Sequence, residues 1–392
     1  MNTELLNPEV QKFIAEHLKS DVTKLILKGS PFPKVSGAEL ATQISGKKTA
    51  QKKLPVWFTT NVIYPPKLNL EQTSSQITAK YKASLVSGSD LADLTGGFGI
   101  DSYFFSQNIK NVYYNELNEN LAELAKHNFK VFNANNIEVN SGDGLEFLKS
   151  SEIKFDWIFL DPARRDNHGG KVFRLADCTP NVVEDLDLFF EKSDAIFIKT
   201  SPLLDLKLGI SELKNVAEIH IVAVENEVKE LLWILKKDAN TACKIITKNF
   251  RKKENQHFET ILDETVIPEL SLPKKYLYEP NAAIMKSQLF GKLSHELQLT
   301  KLHQHSHLFT SEKEMDFPGR KFEITEILNF GSKYLKKKFK GKKANISIRN
   351  FPIDVESIRK KYKIKDGGID YLFFTTNLNE DRVVLVCRKT SD

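Results

Sequence analysis

The chain has 392 residues, 41% of them hydrophobic and 28% charged, with a formal net charge of +6. That length sets two or more domains as the expectation, and the composition is that of a globular protein, not a disordered or fibrous one. No apolar run approaches the ~20 residues that span a bilayer, no secretory segment opens the chain, and three scattered cysteines offer neither a disulfide framework nor a zinc set, so a reducing cytoplasm is the expected setting.

Residues 1–50 read as helical, with Val10, Phe13, Ile14 and Leu18 at helical spacing and a fresh start at Gly37 after Pro31 and Pro33. The stretch 54–71, with Pro55, Pro65, Pro66 and the aromatics Trp57, Phe58 and Tyr64, reads as an ordered connector. Glu71 to Ala83 predicts a helix with a Ser/Thr-rich start. Thr78 and Lys82 on it are candidates to hold a ligand carboxylate, the alternative being plain capping and a solvated face.

From 90 to 250 strand and helix patterns alternate, which predicts a parallel sheet. The first strand, 90–94, runs into Thr95-Gly96-Gly97-Phe98-Gly99-Ile100-Asp101 and then a helix to about 108. Strand, Gly-rich turn and helix form the layout of a nucleotide-binding crossover, in which Gly97 and Gly99 permit positive φ. Asp93 and Asp101 flank the turn. Carboxylates there repel a pyrophosphate and suit a cationic amino group, which favours S-adenosyl-L-methionine over a dinucleotide.

The second strand (112–114) ends at Glu116, seventeen residues beyond Gly99 and near the position of an acid that accepts ribose hydroxyls. The third (137–139) is followed by Asp143, a candidate for the adenine amine and also a good helix N-cap. The fourth (155–160) stops at Asp161-Pro162-Ala163-Arg164-Arg165. There Asp161 is placed to meet a nucleophilic nitrogen, Pro162 stiffens the turn, and Arg164 and Arg165 suit phosphate. Gly169-Gly170-Lys171 suggests a loop over the site. A fifth strand (195–198) ends in Lys199-Thr200-Ser201, a sixth covers 219–224, a helix is expected over 228–235, and a seventh, antiparallel strand over 243–247.

Asp93 to Asp101, Glu116, Asp143 and Asp161-Pro162 together resemble a class I S-adenosylmethionine-dependent methyltransferase. More narrowly, Glu71 to Lys82, Asp161 to Arg165, Lys199 to Pro202, Tyr278 to Asn281 and Arg349 to Pro352 resemble bacterial methyltransferases with a small ferredoxin-like domain and a C-terminal THUMP-like domain. The resemblance implies a Rossmann-like seven-stranded α/β sheet, S-adenosyl-L-methionine as cofactor, and RNA as partner, since THUMP domains are RNA-binding modules of tRNA-modifying enzymes. One departure stands out. Base-amine methyltransferases place an aromatic after their Asp/Asn-Pro-Pro, whereas Ala163 and Arg164 fill the last two places here. Where pyrimidine carbon-5 enzymes carry a nucleophilic cysteine, this chain offers Ser201, with Cys178 the nearest alternative.

In the C-terminal third, His303, His305 and His307 alternate as on a surface strand. Residues 320–392 read as an α+β unit with strands at 322–324, 346–349, 371–375 and 383–387 and helices over 327–339 and 355–362. Lysines cluster from Lys333 to Lys343, and Lys337, Lys338 and Arg349 are candidates to track a phosphate backbone. The expected organisation is a helical region and connector over 1–86, a methyltransferase core over 87–275, a ferredoxin-like segment over 276–319 and a THUMP-like domain over 320–392. The expected activity is methyl transfer to a nucleobase of rRNA or tRNA. The alternatives are an RNA-binding protein with a vestigial cofactor pocket and a small-molecule methyltransferase.

Overall fold

The structure is a computed structural model that describes residues 1–164, 174–239 and 242–390, without the side chains of Lys28 and Arg164. Two compact units emerge, Met1–Ala217 with Leu231–Thr241, and Glu218–Glu230 with Ala242–Asp392. No helix among the described residues is long and apolar enough to cross a membrane.

The first unit begins with short helices, of which Gly37–Lys53 is the longest. Its start is held by a capping box: the Ser36 hydroxyl accepts the Glu39 amide while Glu39 accepts the Ser36 amide. Gly46 on this helix is required by packing, because a Cβ there would meet Tyr64 at 2.3 Å. The connector is ordered as expected. Trp57 is fully buried against Tyr103 and Phe132, with ring centroids 4.7 and 4.6 Å away. Asn128 clamps the main chain of Ile63 with both ends of its amide, at 3.0 and 2.9 Å.

Beyond the connector lie β1 (Gly88–Asp93), β2 (Ile109–Glu116), β3 (Ile137–Ser141), β4 (Trp157–Leu160) and β5 (Ala195–Thr200). They pair in parallel in the spatial order β3-β2-β1-β4-β5, with the apolar runs of β1, β4 and β5 buried. The order reverses direction at β1, which makes its carboxyl end the switch point where ligands bind.

Two expectations in this region are corrected. The stretch after β6 (Val216–Val224) is not a helix but a strand, β7 (Glu227–Lys236), whose Leu231–Lys236 portion runs antiparallel to β5. Glu225 and Asn226, both at positive φ, form a two-residue hairpin turn, which leaves no room for a crossover helix. The antiparallel neighbour of β5 is therefore β7. The strand expected to be antiparallel, β8 (Cys243–Phe250), instead pairs parallel with β6, and β9 (Gln256–Leu262) pairs antiparallel with β8.

The second unit also contains one seven-stranded sheet built from β10 (Tyr276–Pro280), β11 (Thr300–Lys301), β12 (Phe309–Ser311), β13 (Gly319–Asn329), β14 (Asn345–Arg349), β15 (Asp370–Thr376) and β16 (Arg382–Lys389). Its order is β11-β12-β10-β13-β16-β15-β14. Helices Lys333–Phe339 and Val355–Tyr362 cover one face through Leu335, Phe339, Ile358 and Tyr362, and a second core of Leu277, Leu302, Leu308, Phe322 and Phe373 fills the other. The helix expected from Ile327 starts only at Lys333. Ile327 and Leu328 alternate out and in as the end of β13, and Gly331 at φ +86° makes the turn. His303, His305 and His307 do not share a strand either: they occupy the turn between β11 and β12.

Candidate functional site

The carboxyl ends of the parallel strands bring the predicted acids together. Asp93 pairs across β1–β4 with Phe159, so Asp161 lies two residues beyond that rung, and Leu160 pairs with Ile198, which puts Lys199 beside Asp161. Glu116 pairs with Ser141 at the end of β3, just before Asp143. Backbone bonds tie these tips to one another: Gly96 N to Asn115 O at 2.8 Å, Gly142 N to Glu116 O at 3.0 Å and Leu94 N to Phe159 O at 3.1 Å. The Thr95 hydroxyl accepts the Asp161 amide at 2.7 Å.

In the Gly-rich turn Gly97 and Gly99 adopt φ of +55° and +82°, a region that disfavours side chains. Their surroundings differ. A Cβ on Gly99 would strike Phe129 at 2.5 Å, whereas one on Gly97 would meet nothing nearer than Thr95 O at 3.9 Å. Gly99 is thus a packing glycine, and Gly97 leaves an open cradle. The Gly97 amide donates to Glu116 Oε2 at 2.9 Å, and Glu116 Oε1 accepts the Asn118 amide at 2.8 Å. A carboxylate therefore takes the turn amide that a phosphate would need.

Asp93 is buried, accepts the Thr95 amide at 3.0 Å and holds the Ser102 hydroxyl in a short hydrogen bond. Burial, reinforced by the nearby Asp101 and Asp161, pushes its carboxyl up to about 7. Asp101 accepts from Ser74 at 2.8 Å and pairs at 3.2 Å with the fully buried Lys82, which also donates to Ser74 at 2.9 Å. Asn115 lies at the same tip; its amide nitrogen donates to Asp93 O at 3.1 Å while its buried Oδ1 has no hydrogen-bond donor among the described residues.

With this geometry in hand the chain can be set beside known proteins. Residues 319–389 match a THUMP domain-like family model and residues 276–318 a ferredoxin-like domain model. A crystal structure from Porphyromonas gingivalis W83, of a protein assigned to the methyltransferases, is 31% identical, covers 98% of each chain and superposes with a TM-score of 0.87. The chain belongs to this methyltransferase family. Among other solved structures, the tRNA m1G37 methyltransferase of M. jannaschii is 18% identical over 42% of this chain and 50% of its own, with a TM-score of 0.30. M. capricolum TrmK with S-adenosyl-homocysteine is 16% identical over 45% and 70%, with a TM-score of 0.32. No curated protein matches the sequence.

In this methyltransferase the remaining candidates divide into those at the strand tips and those engaged elsewhere. Asp143 is exposed and caps the next helix, accepting the Leu145 amide at 2.7 Å. Asp161 forms a short ion pair with Lys199, and Pro162 beyond it is buried. The Ser201 hydroxyl accepts the Leu203 amide at 3.2 Å, and Cys178 is wholly buried. Thr78 is buried and turned to its own helix start, where its hydroxyl donates to Ser75 O at 3.2 Å. The backbone of Ala163–Arg164 pairs with Cys178–Thr179, while the Arg164 side chain, Arg165 and Gly169-Gly170-Lys171 lie outside the described residues. In the second unit Lys337 is exposed and Lys338 pairs with Glu326. Arg349 donates to the buried Glu279 at 2.8 Å, on the other side of which Arg320 Nε donates at 2.5 Å.

Sequence reading passed over Asn115, Ser102 and Leu117. Leu117 follows Glu116 and is 75% exposed, an apolar surface at a polar strand tip. Its place directly after the ribose-type acid was the available signal.

Proposed function

We propose that this protein transfers the methyl group of S-adenosyl-L-methionine to a nucleobase of RNA, of the ribosomal or transfer class. The observation that carries the reading is the Gly97 amide already bound by Glu116 within a ring of acidic strand tips. Such a site rejects a pyrophosphate and accepts a cationic nucleoside. The residues fit that cofactor: the buried Asn115 Oδ1 has no donor among the described residues, the space at Gly97 is open, and Leu117 and Asp143 are exposed.

When bound, the cofactor supplies a methyl group made electrophilic by a positively charged sulfur. Each Glu116 oxygen uses one lone pair on an amide and keeps another for a ribose hydroxyl. Asp143 Oδ2 would accept the adenine amine and Leu117 would offer the base an apolar surface. Asp93 and Asn115 Oδ1 would hold the ammonium of the methionine half. Lys82 acts through Asp101, neutralising it, and Thr78 acts by fixing the helix that carries Lys82. At the acceptor side the Thr95 hydroxyl and the rigid Pro162 fix the Asp161 backbone. Asp161, held by its ion pair with Lys199, orients the target nitrogen for attack. Catalysis is then chiefly positioning for in-line attack. Arg164 and Arg165, which follow Asp161-Pro162 in the sequence, are assigned to the substrate phosphates together with Ser201.

Residues 87–275 carry the chemistry in this reading, and the THUMP-like region contributes the RNA contacts through Lys337 and its neighbours. Titration calorimetry with S-adenosyl-L-methionine, together with mass spectrometry of RNA nucleosides from a cell lacking the gene, tests both halves. Saturable binding and the loss of one methylated nucleoside are expected. A wild-type protein that fails to bind the cofactor refutes the reading.

A further inference from the structure

The stretch Arg349-Asn350-Phe351-Pro352 and the histidine turn at 303–305 are far apart in sequence, and neither takes part in the chemistry above. They meet at an open cavity of about 710 Å³ in the second unit, whose lining includes His303, His305, Asn350, Pro352, Glu380 and Arg382.

The hydrogen bonds in it fix donors and acceptors. His303 is buried, and its Nδ1 accepts the His305 backbone amide at 3.1 Å. That nitrogen must be unprotonated, so Nε2 carries the hydrogen and donates to Glu380 Oε1 at 2.8 Å. The Asn350 group facing Nδ1 at 2.9 Å is then its NH2, which leaves Asn350 Oδ1 as an acceptor for something else. Asn350 sits at φ +50°, a conformation asparagine tolerates, and its carbonyl accepts the Thr376 hydroxyl at 2.8 Å. The Phe351 ring anchors this turn edge-on against Phe330 and Phe374, with centroids 4.9 and 5.6 Å away. His305, Pro352 and Arg382 are exposed. The cavity therefore presents a held amide acceptor, one flat imidazole face beside the apolar edge of a proline ring, and one guanidinium, while His303 engages the Glu380 carboxylate.

From this we infer that the cavity holds a single nucleoside phosphate unit: a base against His305 and Pro352 with its edge on Asn350 Oδ1, and the phosphate on Arg382. Sequence-tolerant capture of single-stranded nucleic acid rests on such stacking surfaces beside a cation. The inference deepens the RNA half of the proposed function and rests on it, since an unpaired RNA residue is the source expected to fill the cavity.

The test uses the full chain and a short fluorescently labelled single-stranded oligoadenylate, with a blunt RNA duplex and free AMP as comparison ligands. The double variant His305→Ala/Arg382→Ala changes exposed side chains only. It is expected to bind the single strand roughly tenfold or more weakly, the loss of about one stacked base, with duplex binding and cofactor calorimetry unchanged. Single-strand binding much tighter than AMP binding identifies RNA as the source, and equal binding with the same loss in the variant identifies a free nucleotide. The inference is overturned if the double variant matches wild type, or if wild type binds neither single strand nor AMP. In the latter case intact cofactor binding leaves the methyltransferase reading standing.

Discussion

The buried Asp93 makes the sharpest prediction. Burial lifts its carboxyl from an ordinary value near 3.8 to about 7 in the folded chain. Between those values the folded state binds more protons than the unfolded one, so stability falls as pH rises through the window. A shift of about three units corresponds to roughly 4 kcal/mol at neutral pH and above, of which about 3 kcal/mol is lost between pH 5 and pH 8. Asp93→Asn keeps an acceptor for the Thr95 amide and offers its NH2 to the Ser102 hydroxyl, so it removes the charge without leaving a partner stranded. Urea unfolding followed by tryptophan fluorescence reports on the right unit, since Trp57, Trp157 and Trp233 all lie in the first one. The variant is expected to show a flatter pH profile and, near pH 8, a stability above that of wild type. It is also expected to bind S-adenosyl-L-methionine about ten- to a hundredfold more weakly, the loss of one charge-assisted hydrogen bond of about 1.5–3 kcal/mol. Parallel pH–stability profiles for the two proteins, or unchanged cofactor affinity, would refute the reasoning.

Other substitutions separate packing from binding. Gly97→Ala meets only backbone strain of about 1–2 kcal/mol and is expected to fold while losing cofactor binding by calorimetry; Gly99→Ala adds a clash with Phe129 and is expected to lower the melting temperature far more. Glu116→Ala strips the acceptor from two amides and is expected to abolish measurable cofactor binding, with a stability cost of about 1–3 kcal/mol read by urea unfolding. Lys199→Ala releases Asp161 from its held position and is expected to lower the methyl-transfer rate by about 10²-fold through lost positioning while cofactor affinity stays within a few-fold, checked by single-turnover assay. Replacing Lys336 and Lys337 with Gln is expected to flatten the salt dependence of RNA affinity by about 0.7 log units per log salt for each charge, measured by fluorescence anisotropy.

The strand tips were legible because β1, β4 and β5 are apolar runs that stop abruptly at Asp93, Asp161 and Lys199, and a Gly-rich turn marks where the chain reverses. Elsewhere local pattern misled. The Glu225–Asn226 turn contains no glycine, so Val228, Leu231, Leu232 and Leu235 could pass for a helix face when they are part of a strand buried without a break from Glu230 to Leu235. Alternation of His303, His305 and His307 mimicked a strand because period two costs nothing over five residues of a turn. Partners remote in the chain were invisible. Arg349 reads as a phosphate ligand until Glu279, seventy residues earlier, is found bound to it, and Lys82 reads as a ligand cation until Asp101 folds onto it.

The buried Glu279 has a consequence for anyone who would dissect this protein. It belongs to the segment matching the ferredoxin-like model, yet both guanidinium partners, Arg320 and Arg349, come from the segment matching the THUMP-like one, and β10 is hydrogen-bonded along its length to β13. Cutting the chain near residue 318 would strand a carboxylate in a dry interior and bare a row of unpaired amides and carbonyls. Neither fragment should be soluble alone, and grafting one onto a foreign enzyme requires carrying the other with it.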